Sequence, residues 1–170
     1  MSEEDRASIA RRAATAARVA GFTYGTIVVL SVIVAGAKGY PDASGRIAAL
    51  VGATAVVFWL AHVYAHGLGH SVAHDRRLSL AELRHIARRE ASIVEAAVPP
   101  VGALLLGAFG VLSTQASVWA AIGLGLGVLV VQGIRYARVE RLETLATLLV
   151  VAVNVGLGLV LIGLKLFVVH

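Results

Sequence analysis

A chain of 170 residues that is 58% hydrophobic and only 15% charged, with a mean hydropathy of +0.84, is too apolar for an ordinary soluble domain, where about 25% of residues carry charge. The lack of cysteine excludes disulfides, thiolate metal sites and cysteine nucleophiles. The net charge of +5 does not argue for nucleic acid, because the arginines sit in short segments between long apolar runs, as membrane topology places them. The composition predicts an all-α polytopic protein, one membrane domain over residues 1–170. Its richness in Ala, Val, Gly and Arg suits a GC-rich bacterial genome and a bacterial plasma membrane.

In chain order, residues 2–18 place acids first (Glu3, Glu4, Asp5) and arginines later, which suits a helix whose dipole is complemented at both ends. This cytoplasmic helix is expected to lead directly into a first span at 19–37, without the short basic start of a cleaved signal. Lys38-Gly-Tyr-Pro-Asp42 is a turn, with Tyr40 at the interface. A second span covers 47–68. Ser79-Leu-Ala-Glu82 has capping-box spacing, so a helix is expected from Ser79 with Leu80, Leu83, Ile86 and Ala87 as its apolar stripe, resting on the membrane surface and running on into a third span at 92–112. Further spans are expected at 118–134 and 145–168.

Five spans put the termini on opposite sides. All but three of the 15 basic residues fall in the N-terminal segment and the loops around 66–91 and 135–143, so these are expected in the cytoplasm and the C-terminus outside. Lys38 and Arg46 lie on the other side, and Lys165 snorkels towards it.

The second span carries the most informative feature. His62, His66, His70 and His74 follow one another at steps of four. At ~100° per residue such a step drifts only ~40°, so the first three share one helix face and His74 lies further round. Imidazoles in such a row can hold a divalent transition metal (Fe, Mn, Zn or Ni) or relay protons. The third span offers Glu90 and Glu95 ahead of Pro99-Pro100. Those prolines cannot donate to the carbonyls of Glu95 and Ala96, and helix breaks with freed carbonyls recur at ion sites. The expected site is His62, His66 and Glu95, fed by a cytoplasmic vestibule of His70, His74, His85 and Glu90. Glu82-x-x-His85 resembles a di-iron element, but the capping box already accounts for Glu82.

Gly21-x-x-x-Gly25, Gly123-x-Gly-x-Gly127 and Gly156-x-Gly158 are expected to serve helix packing or dimerisation. Thr26, Ser31, Thr54, Gln132 and Asn154 are polar groups within spans that can bond a neighbouring helix or their own backbone. The chain leaves no room for a soluble catalytic domain, so an enzyme is not expected. The leading expectation is a small transporter or channel for a divalent metal ion, for protons, or for both, working as a homodimer in the lipid bilayer. The alternatives are a haem-binding or purely structural membrane subunit, and a lipid- or partner-binding module using the basic helix at 79–91.

The layout of five spans, N-terminus inside, with a second span running into a cytoplasmic metal-binding segment, resembles the vacuolar iron transporter family. That resemblance implies export of iron or manganese against protons, although 19–37 holds no counterpart of the family's acidic first-span signature. Phe58-Trp-Leu-Ala-His62-Val-Tyr-Ala-His66 also resembles uncharacterised actinobacterial membrane proteins.

Overall fold

The structure is a computed structural model that describes residues 2–74 and 78–168, without the side chains of residues 74, 161, 164–166 and 168. The expectations for Arg76, Arg77 and the snorkelling of Lys165 fall outside these. All regular structure among the described residues is helical.

Helix α1 (Glu3–Gly39) joins the expected cytoplasmic helix and first span into one rod. Ser2 caps it: its hydroxyl accepts from the Asp5 amide, and the Asp5 carboxylate accepts from the Ser2 amide, both at 3.1 Å. At ~1.5 Å per residue the rod is ~55 Å long, well beyond the ~30 Å of a hydrocarbon layer. Its residues 3–14 are accordingly exposed throughout. Helix α2 (Ser44–His74) extends past the expected limits at both ends and carries the histidine row on continuous helix. Helix α3 (Leu80–Arg89) starts at the predicted capping box, where the Glu82 carboxylate accepts from both the amide and the hydroxyl of Ser79 at 2.9 Å.

The expectation of one continuous helix from Ser79 through 112 is corrected. It divides into α3, the single turn α4 (Ser92–Glu95) and α5 (Val98–Ala108), with the stretch before the second break bent 49° from α5. The prolines sit in the first turn of α5, where their missing N–H groups have no helical acceptor to lose. They restart a helix rather than kink one, and the interruption falls at Ala96 and Ala97, beside the carbonyls of Glu95 and Ala96 to which the prolines cannot donate. The chain turns after Ala108 through Gly110, whose φ of +76° suits glycine, and the Val111 amide reaches back to the Leu106 carbonyl at 2.9 Å. Helix α6 (Thr114–Val139) then begins at the cap Ser113, four residues before the expected fourth span, and α7 (Thr144–Val168) follows a turn at 140–143.

Helix α1 packs against α2, α4, α6 and α7, and the shell runs α2–α5–α6–α7 around it. The principal core, with Val29 and Ile33 of α1, Ile47 and Val51 of α2, Leu104 of α5 and Ala121 of α6, lies in the half remote from the histidines. Large apolar side chains also face outward: Val57, Leu60 and Tyr64 on α2 and Leu145, Leu148 and Leu149 on α7 are all more than half exposed. So broad an apolar exterior matches a lipid environment. By length and composition α1, α2 and α6 each suffice to cross a membrane, and the bent pair adds a fourth if it counts as one crossing. In α7 the apolar stretch so assessed, Thr144–Val160, is shorter.

The glycines divide by role. A Cβ on Gly25 would lie 2.8 Å from the Ile93 carbonyl oxygen and 3.0 Å from Ile93 Cα, and one on Gly21 would run into Ser92 Oγ. Gly125 faces Leu30 and Gly158 faces Leu129, whereas Gly123, Gly127 and Gly156 have nothing within 4 Å of such a Cβ. Because the neighbour of Gly25 is backbone, Gly25→Ala is expected to destabilise the bundle by about 1–3 kcal/mol. Thermal unfolding of the detergent-solubilised protein should show a lowered Tm for Gly25→Ala and little change for Gly52→Ala, whose added Cβ meets nothing. Equal Tm values for the two variants would refute this packing account.

Candidate functional site

His62, His66, Glu90 and Glu95 lie toward the end of the bundle where α1 emerges, α2 ends and α3 turns into α4. Helix α2 positions His62 and His66 in matching ways. His62 Nδ1 lies 2.9 Å from the Phe58 carbonyl oxygen, and His66 Nδ1 lies 3.0 Å from that of His62. A carbonyl only accepts, so in each ring Nδ1 carries the hydrogen and Nε2 is left with its lone pair when the ring is neutral. The rings stack with centroids 6.4 Å apart and an interplanar angle of 29°. Tyr24 of α1 closes over His62, with ring centroids 5.2 Å apart.

The acids divide differently from expectation. Glu95 turns away from α2 and pairs with Arg18 of α1 at 2.8 Å, an ion pair with both side chains substantially exposed. Such a pair contributes little stability. Glu90, expected in the vestibule, is only 9% exposed and faces α2, its Oε1 3.7 Å from His66 Nδ1. Burying a carboxylate is costly without a charged or hydrogen-bonding partner, so its approach to an imidazole is the most informative polar contact at this end. The two acids lie five positions apart, and each faces a different helix.

Of the remaining expected ligands, His70 is half-buried on α2 and His85 is exposed on α3, while the side chain of His74 lies outside the described residues. Among the described residues, no three His, Asp or Glu side chains gather as a metal-binding group. The structure thus brings together His62, His66 and Glu90, and it separates Glu95 from them.

Three participants were not expected. Arg18 is the last charge before the first apolar run, and that boundary position was its only signal. Tyr24 lies a turn and a half further on. Trp59 donates from Nε1 to the Ala87 carbonyl at 2.9 Å, fastening α3 to α2 beside the histidines. Among the polar groups within spans, Thr26 and Ser31 donate to carbonyls of their own helix at 2.7 and 3.0 Å. Ser92 Oγ and Gln132 Oε1 are buried without hydrogen-bond partners. A cleft of 1170 Å³ between α1, α6 and α7 lies at the opposite end, by Lys38 and Trp119, and contains none of the site residues.

No protein-family model, curated protein or solved structure matches the chain.

Removing the indole donor while keeping the ring, as in Trp59→Phe, should cost about 1 kcal/mol of local stability, the net value of one hydrogen bond. Amide hydrogen exchange across 80–89 should accelerate, while that across 114–139 stays unchanged. Uniform acceleration or none would contradict the fastening role.

Proposed function

We propose that the chain is a small integral membrane protein of the bacterial plasma membrane that moves protons, a divalent transition metal ion, or both, along His62, His66 and Glu90. The bilayer is crossed five times, by α1, α2, the bent α4–α5 segment, α6 and α7. Two lines of observation support the placement: the outward apolar side chains, and the segregation of Arg18, Arg84, Arg88 and Arg89 to the histidine end while Lys38 and Arg46 occupy the other. By the positive-inside rule the histidine end is cytoplasmic. A second copy would pack on α6, where Gly123 and Gly127 leave the backbone open to close approach.

The observation that carries the functional reading is the buried Glu90 carboxylate beside the more exposed His66 imidazole, at a helix break. One exchangeable proton serves this pair. On His66 Nε2 it makes an imidazolium beside the Glu90 carboxylate, and on the Glu90 carboxyl it leaves both groups neutral, the Nδ1 hydrogen staying on the His62 carbonyl in both cases. Such a pair suits proton transfer between the cytoplasmic mouth and membrane depth, where ionisable groups are costly and mark ion pathways. The stacked His62 continues the line inward. The two free Nε2 atoms could equally hold a metal, since histidine ligands usually have their other nitrogen bonded to a carbonyl or carboxylate. The resemblance in layout to the vacuolar iron transporter family points the metal arm of the test to Fe²⁺ and Mn²⁺.

Proteoliposomes carrying an internal pH dye, and separately a metal-sensitive dye, test the reading. Glu90→Gln and His66→Ala should each lower the flux by on the order of tenfold or more, the value of one charge-assisted contact. Glu95→Gln should stay near wild type. A pH response without a metal response assigns protons. No flux of protons, Fe²⁺ or Mn²⁺ through wild type, or equal loss in Glu90→Gln and Glu95→Gln, would sink the assignment.

A further inference from the structure

We propose that α3 is a binding element for anionic lipid headgroups of the leaflet around the histidine end, held by Arg84, Arg88 and Arg89. The inference rests on the membrane placement above but not on the ion path.

Its apolar stripe is only partly used by the fold. At ~100° per residue, Leu80, Leu83 and Ala87 share a ~60° sector, and Ile86 widens it to ~120° on the side away from Arg84. Ile86 and Ala87 are half-buried, and the Ala87 carbonyl is held by Trp59. Towards the start of the helix, Leu80 is 84% and Leu83 39% exposed. An apolar strip therefore continues from a docked end to an uncovered one.

The charges identify what covers it. Arg84 and Arg88 lie together along one border of the apolar sector, Arg89 lies across from it, and all three are exposed. The one acid in α3, Glu82, is committed to the capping box. A basic helix with arginines on the border of an apolar stripe fits the headgroup layer. There the leucines enter the acyl boundary while the guanidinium groups reach phosphates. The orientation agrees, since the segment from Leu80 to Glu95 is bent 49° from α5 and so lies oblique to the crossing direction. An acidic protein could satisfy the arginines, but the exposed leucines lie where a protein embedded in this way would already meet lipid. Each arginine near an anionic surface strengthens association by about fivefold.

The lack of native cysteine makes the test simple. Full-length Leu83→Cys, labelled with a polarity-sensitive thiol probe, is reconstituted in vesicles of neutral phosphatidylcholine and in vesicles also containing phosphatidylglycerol. Acrylamide, a neutral quencher, reports burial. We expect quenching to fall severalfold when phosphatidylglycerol is present. It should return to the neutral-lipid level at high salt and in the Arg84→Gln/Arg88→Gln/Arg89→Gln background. A probe at Ala81→Cys, on the polar flank, should be quenched equally in both lipids. Equal quenching at position 83 in the two lipids, in protein that resists alkaline carbonate extraction, overturns the inference alone. Release of the labelled protein by carbonate overturns the membrane placement and this inference with it.

Discussion

The arrangement of the site depends on one close approach, Gly25 of α1 against the Ile93 backbone of α4, with Gly21 against the Ser92 side chain and Gly25 also against the Ala96 Cβ just beyond α4. Only a residue without a Cβ allows the Ile93 peptide to come so near. Once α4 is seated there, the directions of its acids follow. Glu95 emerges on the α1 side and meets Arg18, whereas Glu90, before the turn begins, emerges on the α2 side and meets His66. The glycine pair and the histidine site are thus one construction, although they lie on different helices and share no chemistry.

Between apolar helices in lipid, the hydrophobic effect drives little association, so close packing and satisfied polar groups must supply the cohesion. The described bundle follows that logic unevenly. Around Leu30, Gly125 and Gly158 let α6 and α7 close on α1, and Thr26 and Ser31 return their hydroxyls to their own helix. Towards the histidine end the core thins, and α3 is held by a side-chain bond from Trp59 to a backbone carbonyl and by a few half-buried contacts. Local opening is easiest where few apolar contacts must break, and such regions are where function tends to sit.

Much of this was legible from the sequence, for reasons that differ by residue. The apolar runs marked α1, α2 and α6 because length and composition alone decide whether a helix suits lipid. Ser79 and Glu82 announced the start of α3 because a capping box is local chemistry that needs no tertiary partner. The break in the third span was legible in Pro99 and Pro100, which cannot donate to the carbonyls of Glu95 and Ala96, but their place in the first turn of a restarted helix was not. Prolines at a helix start are tolerated, and whether they kink a helix or restart one depends on packing upstream, here the seat of Ile93 on Gly25. The exchange of roles between Glu90 and Glu95 was partly within reach. Five helical steps rotate by ~140°, so two such acids cannot both face α2. Which one does was fixed only by the neighbour, and Arg18 gave no sign of being that neighbour beyond its place at the boundary.

The connection between the surface helix and the buried acid is also covalent and short. Glu90 is the C-cap of α3, and its amide donates to the Ile86 carbonyl at 3.0 Å, so the acid belongs to the last turn of the helix that carries Arg84, Arg88 and Arg89. Two residues later the chain enters α4, which the glycines of α1 hold in place. A shift of α3 therefore has little slack in which to dissipate before it reaches Glu90. The Trp59 bond to Ala87 ties the same turn to the helix that bears His66. On the proposed seat of α3 in the headgroup layer, a movement of that helix would change the Glu90–His66 separation or strain that tie. His66 Nδ1 lies 3.7 Å from the Glu90 carboxylate with its hydrogen committed to the His62 carbonyl, so a closure makes a direct hydrogen bond to Glu90 only by turning that hydrogen away from the carbonyl.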